Sequence, residues 1–267
     1  MSTSSSNGSN GKPDAQEAAS GAPKGPITDT MKKPLLKRFY KDVTVGEGAF
    51  FQILLDGRVV KTPKRRALTL PTRAAADAVA AEWAAQVAEI NPASMPLTRF
   101  TNTAIDAVSD ATEEVAADVM AFVGRDLLCY RAETPKDLAD LQAAKWDPVL
   151  NWVHETLHAR FTVVPGVMPV DQPNAALYPV AHALQSFDAF RLTALHVMTT
   201  LTGSALLALA RARGFLSADE AWAAANVDED YQTALWGEDF EAADRRERRT
   251  AEFHAASRFL VLLETTM

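Results

Sequence analysis

Leu192 to Ala210 runs for 19 residues without Asp, Glu, Lys or Arg. A helix of that composition is apolar around most of its circumference, so protein or lipid must enclose it. Thr193, His196, Thr199, Thr200, Thr202 and Ser204 interrupt the run. They make it too polar for a membrane span, which needs about 20 mostly apolar residues. The run is therefore predicted as a helix at the centre of a helical domain. The 267 residues, 48% apolar and 23% charged, supply enough core for one large or two modest domains.

The segments around that run follow helical spacing. Helices are predicted over 109–123, 134–160 (Pro148 marking a kink or a fresh start), 174–187, 188–213, 218–236 and 239–264. Gly214 suits a C-terminal cap, and Ser217-Ala-Asp-Glu220 has the form of a capping box. Leu127 to Arg131 reads as a short extended piece, and Phe161 to Val170 as extended or turn around Pro165-Gly166. Upstream the period is two. Phe51 to Leu55, Asp56-Gly57 and Arg58 to Thr62 read as a hairpin, because Asp-Gly suits a turn with positive φ at both central residues. A third strand is expected over 67–70, then a helix from Pro71 to Ile90 with Trp83 on its apolar side. Residues 1–30 hold almost no large apolar side chain before Ile27 and read as disordered. The expected organisation is a tail over 1–33, a domain over 34–107 and a helical domain over 108–267.

Net charge is −7 and the isoelectric point about 5.3, which disfavours nucleic acid as a partner, since phosphates need concentrated basic surface. The single cysteine, Cys129, has no partner for a disulfide and sits in an apolar run, as an inert buried thiol would. The N-terminal stretch lacks a secretory apolar core, and Asp14, Glu17 and Asp29 precede the first arginine, unlike a mitochondrial transit peptide. A bacterial cytoplasmic location is expected, or the mitochondrial matrix in a eukaryote.

His154-Glu155-Thr156-Leu157-His158 has the H-E-x-x-H form, in which two imidazoles on one helical face hold zinc and the glutamate activates water. A third ligand is missing: the next acid is Asp171, beyond a Pro-Gly break, and the next histidine is His182. The competing reading makes both histidines ordinary polar-face residues beside Trp152. The chain has no phosphate-binding glycine loop, dinucleotide fingerprint or nucleophile elbow. No metal or other cofactor is expected.

Gly214 to Asp244 carries nine acids and no lysine or arginine, with Trp222, Tyr231, Trp236 and Phe240 interleaved. On one continuous helix, Trp222, Glu229, Gln232 and Trp236 would share a stripe, and Val227, Tyr231 and Leu235 another, bordered by Asp228. One stripe must face the core. The other would present aromatics flanked by carboxylates, as a partner-binding patch does. The alternative is a solvated acidic face with both tryptophans packed inside. Arg245, Arg246, Arg248 and Arg249 follow, with Asp244 and Glu247 among them, and i,i+4 pairing is expected.

Several strings resemble one family in their order: Arg38-Phe-Tyr-Lys41, Leu55-Asp-Gly-Arg58, Lys61-Thr-Pro63, Glu82-Trp83 with Gln86, and Met95-Pro-Leu-Thr98. Asn102-Thr-Ala-Ile-Asp106, Asp126-Leu-Leu-Cys-Tyr-Arg131, Gln142 with Trp146-Asp-Pro148, Glu229 with Tyr231-Gln232, and Trp236-Gly237 continue the set. The family is that of ATP synthase assembly chaperones which bind the α subunit of the catalytic head. The similarity spans roughly residues 37 to 262. Three features depart from it: Phe122-Val-Gly-Arg125 stands where a tyrosine and small residues are usual, H-E-x-x-H is foreign to the pattern, and the acidic pair before Tyr-Gln falls on Asp228 and Glu229, with aspartate where glutamate is usual at the first position. The resemblance implies an α+β fold, a small β-rich α/β N-terminal domain followed by an all-helical C-terminal domain. It implies binding to an unassembled α subunit until the β subunit replaces the chaperone, with no chemistry, and a monomer without stable membrane insertion is expected. The residues expected to meet that partner are Asp228, Glu229, Tyr231, Gln232, Trp236 and Glu238. The alternative is a zinc-dependent hydrolase built on His154, Glu155 and His158.

Overall fold

Asp56 and Gly57 both take positive φ, 47° and 75°, and turn the chain back on itself as the sequence predicts. The computed structural model describes residues 34–237 and 240–264. The predicted tail and Glu238 lie outside them. β1 (Leu36–Lys37), β2 (Val43–Gly46), β3 (Phe51–Leu55), β4 (Arg58–Val59) and β5 (Thr69–Leu70) precede α1 (Arg73–Ala84) and β6 (Glu89–Ile90). β3 is the middle of an antiparallel sheet. It pairs with β2 along one edge, and with β4 and β5 end to end along the other. β1 pairs with β6. Ile53 and Leu55 of β3 are buried, and α1 covers the sheet through Ala75, Ala76 and Val79, whose short side chains allow close approach. Trp83, expected on the apolar side of this helix, packs against the core from the end of α1. It is half-buried and edge-on to Tyr40 at 5.8 Å, while the helix stops at Ala84, short of the predicted Ile90, and β6 occupies the last two positions of that stretch.

α2 (Pro96–Asp106) starts on Pro96, and its first amides are capped from α1: Leu97 and Thr98 N–H each donate to the Glu82 carboxylate at 2.8 Å. At its other end, the Asp106 carboxylate accepts from the Thr62 hydroxyl (2.6 Å) and the Lys64 N–H (2.8 Å). α2 is thereby tied to both halves of the N-terminal region. Its other side packs on the helices that follow.

Those are α3 (Thr112–Val123), α4 (Lys136–Leu157), α5 (Asn174–Leu184), α6 (Ala189–Thr202), α7 (Ala205–Ala212), α8 (Ala218–Ala225), α9 (Val227–Trp236) and α10 (Phe240–Leu262). Between α3 and α4, a 3₁₀ turn over Leu127–Cys129 leads into β7 (Tyr130–Arg131), which pairs in parallel with β8 (Val164–Pro165). This two-residue pair is the one β element among the described residues of an otherwise helical region. Pro148 lies inside an unbroken α4.

The uncharged run lies at the centre, as expected. α6 packs against α2, α3, α7 and α10, and Leu206 to Ala210 are all buried. It is two helices instead of one. Gly203 takes φ 70°, and Ser204 caps α7 by accepting from Leu207 N–H at 3.0 Å. The break buries amides that no preceding turn satisfies. Asp126, fully buried before the 3₁₀ turn, meets them: its carboxylate accepts from the Ser204 hydroxyl (2.6 Å), Leu206 N–H (3.0 Å) and Leu128 N–H (3.1 Å). The second predicted long helix, 218–236, also divides, at Asn226, whose side chain donates to the Trp222 carbonyl at 2.7 Å.

Burial raises the Asp126 pKa from 3.8 to about 6, its hydrogen bonds offsetting only part of the desolvation. Between those values the folded state binds more protons than the unfolded one, so this group's contribution to stability falls as pH rises from about 4 to about 6, then levels off. The full span is worth about 3 kcal/mol. Urea titrations at pH 4, 5 and 7 should show this slope in the wild type and its loss in Asp126→Asn. Asp126→Ala, which strands three buried donors, should cost about 3–5 kcal/mol.

Candidate partner-binding surface

The break at Asn226 decides which aromatic faces the core. Trp222 on α8 is buried against Phe253 of α10 at 5.1 Å, and the Arg249 guanidinium lies 5.7 Å from its ring centre. Trp236, at the end of α9, is 82% exposed. The two tryptophans therefore do not share a stripe, since the helix break at Asn226 separates them. Leu235 and Phe240 are exposed beside Trp236 in the chain.

The acids of α9 differ in their surroundings. Asp230 pairs with Arg246, and Glu229 lies 3.9 Å from Arg249, both partners on α10. Among the described residues, only Arg248 of the four arginines makes the predicted i,i+4 pair, with Asp244. The acidic stretch has no lysine or arginine of its own, and α10 brings Arg246 and Arg249 within reach of Asp230 and Glu229. Asp228 is exposed and has a neutral partner, the buried Gln142 side chain, which donates to it at 2.7 Å while accepting from Ala132 N–H at 2.8 Å. Gln142 thereby holds Asp228 against the β7 end of a groove of about 590 Å³.

That groove runs between the β7–β8 pair and the start of α4. Arg131 lines it, only 13% exposed, its guanidinium 5.1 Å from the Trp146 ring centre and 2.8 Å from Asp147. Val167 and Met168 are 87% and 77% exposed on its wall, just beyond the Gly166 turn (φ 77°), where Gly166 N–H donates to the Arg131 carbonyl at 2.8 Å. Two adjacent large apolar residues in solvent on a Pro-Gly loop are the sequence signal for this wall, since loops are ordinarily polar. Tyr231 is half-buried, and Gln232 is exposed midway along α9. At 1.5 Å rise per residue, Asp228 and Trp236 lie about 12 Å apart along the helix axis. The structure thus places five of the six expected contact residues on one helix, with a carboxylate at one end and an exposed indole at the other.

His154 and His158 do not share a helical face. α4 ends at Leu157, and His158 turns left-handed (φ 57°), which breaks the i,i+4 register that zinc binding needs. His154 Nε2 lies 3.4 Å from the Arg160 guanidinium, an unfavourable neighbour for a dication. Among the described residues, no three His, Cys, Asp or Glu side chains gather into a metal-binding group. Trp152 stacks on Phe215 at 5.2 Å, which gives this end of α4 a packing role. No described helix is long and apolar enough to cross a membrane.

Residues 37–154 match the family model described as ATP12 chaperone protein. The chain is 24% identical over 220 residues to the mitochondrial protein atp12 of Schizosaccharomyces pombe, covering 78% of this chain and 76% of that one. The crystal structure of Atp12 from Paracoccus denitrificans is 40% identical with a TM-score of 0.82, over 86% of this chain and 99% of that one. The Atu1473 protein of Agrobacterium tumefaciens is 48% identical with a TM-score of 0.84, over 88% of each chain. With that identity over most of both chains and the same fold, the chain belongs to the ATP12 chaperone family.

Proposed function

We propose that this protein is a chaperone of ATP synthase assembly that holds the unassembled α subunit of the catalytic head until the β subunit takes its place. The observation that carries the reading is Asp228, an exposed carboxylate with no cation partner among the described residues, held by a buried glutamine at the edge of a groove walled by exposed Val167 and Met168. A protein that serves only its own fold seldom leaves such apolar surface open beside an oriented charge. An unassembled subunit exposes the surface its partner will cover, which is apolar at its centre with a polar rim. The groove and the Trp236 corner supply apolar contact, and Asp228 supplies a charge that a basic client group can meet. Contacts of this kind bind firmly yet leave the complex reversible, as a holding chaperone requires. The reading assigns the protein neither catalysis nor a cofactor.

Three outcomes follow. The double variant Asp228→Asn with Glu229→Gln should unfold within about 1 kcal/mol of wild type, because the Glu229–Arg249 pair is a solvated one. Its affinity for purified α subunit should fall, and the residual binding should depend less on salt. Trp236→Ala should leave the unfolding temperature unchanged and weaken the same complex by about tenfold or more, as loss of an interface anchor does. Calorimetry read beside a binding titration decides both, and full affinity in the two variants together would sink the reading. His154→Ala should be neutral in stability and binding, and metal analysis of purified wild type should find no stoichiometric zinc.

A further inference from the structure

Residues 35–70 hold eight basic and three acidic side chains, in a chain whose net charge is −7. Three of them, Asp56, Arg58 and Lys61, line a second groove, of about 580 Å³, that includes no residue of α9. Leu36 and Phe39, 63% and 66% exposed, line it with Val59 and Trp83. Arg58 and Lys61 also line it, and both side chains are exposed.

The floor of this groove is rigid. The Tyr40 hydroxyl donates to the Trp83 carbonyl at 2.7 Å, and Phe39 meets Tyr40 edge-on at 5.4 Å. Asp56 pins the segment carrying both rings by accepting from the Lys41 and Asp42 amides at 3.0 and 2.8 Å. Those two amides hold its carboxyl below the usual range, Asp42 foremost, so the one acid lining the groove is already engaged.

The nearby cations divide into two kinds. Arg38 donates to the carbonyls of Tyr40 and Lys41, Lys64 to the carbonyl of Asp106, and Arg66 pairs with Asp110. Arg58 and Lys61 make no ion pair among the described residues. The Trp83 Nε1 is buried with no acceptor. Apolar walls and two exposed cations with no ion pair among the described residues call for an occupant that brings apolar side chains and anionic oxygens together.

We propose that this groove is a second docking surface for the held client, taking an extended segment in which an aliphatic or aromatic side chain is flanked by carboxylates. The proposal rests on the reading of the protein as a holding chaperone. Such a segment would be repelled by the acidic α9 face, so the two surfaces engage different parts of one client. Two weak contacts joined through one client then hold it far better than either alone, and loss of either loosens it.

The test is charge reversal at the rim, Arg58→Glu with Lys61→Glu. Both side chains are exposed, so the unfolding temperature should not change. Affinity for purified α subunit should fall at least tenfold. In the wild-type complex the Trp83 indole N–H resonance, assigned through Trp83→Phe, should move. Equal affinity of the reversed variant and wild type would overturn the groove and leave the chaperone reading standing. If wild type fails to bind the α subunit, that reading fails. The groove is then judged with a capped Asp-Glu-Phe-Leu-Glu-Asp peptide. Movement of the Trp83 resonance in wild type and not in the reversed variant keeps it, and no movement overturns it. Concentration-dependent self-association in sedimentation, abolished by the reversal, would make the occupant a second copy and also overturn the proposal.

Discussion

The helical region depends on one buried carboxylate. An uncharged run long enough for a continuous helix is broken at Gly203-Ser204, deep inside the protein, where water cannot satisfy the freed amides. Asp126 satisfies them and, through Leu128 N–H, fixes the 3₁₀ turn that leads into β7. From that turn the chain continues to Arg131 and to the groove at whose edge Asp228 sits. The candidate partner surface is thus connected to the middle of the fold through one side chain. Its burial is costly enough to hold its pKa near 6.

The same device recurs toward the N-terminus. Asp56 holds the Lys41–Asp42 amides, Glu82 caps α2 from α1, and Asp106 ties the 62–64 turn to the end of α2. In each case a carboxylate on one element accepts backbone N–H groups of another. This orients short strands and turns that have too little apolar surface to orient themselves. Against that usage Asp228 stands apart. It accepts from a side-chain amide instead of backbone N–H groups, and that difference separates an acid that builds the fold from one available to a partner.

Much of this was legible beforehand. The Asp-Gly hairpin, the capping box at Ser217, the buried uncharged run and the succession of a small sheet region and a helical one all follow from local chemistry: turn residues, period and caps. The helix breaks at Ser204 and Asn226 were not legible. Both lie within unbroken helical periodicity, and each is stabilised by a side-chain hydrogen bond that periodicity does not register. The acidic helix was recognisable as a surface, but its pairing was not, because Arg246 and Arg249 reach Asp230 and Glu229 only after α10 turns back. The groove walls at Met168 and Phe39 went unremarked, since each lies in a stretch that reads as turn or strand.

The sequence by itself determined which segments are helical, which are extended, and that one helical run must be enclosed. These follow from each residue's own preferences and from spacings of a few positions. Only the tertiary structure decided that Trp222 is core and Trp236 is surface, that His154 and His158 part at a helix end, and that Arg58 and Lys61 remain unengaged while Arg66 does not. The physical reason is distance along the chain. Burial and charge pairing depend on which remote elements arrive at a residue, and Gln142 meeting Asp228 across 86 positions is not encoded in the neighbourhood of either.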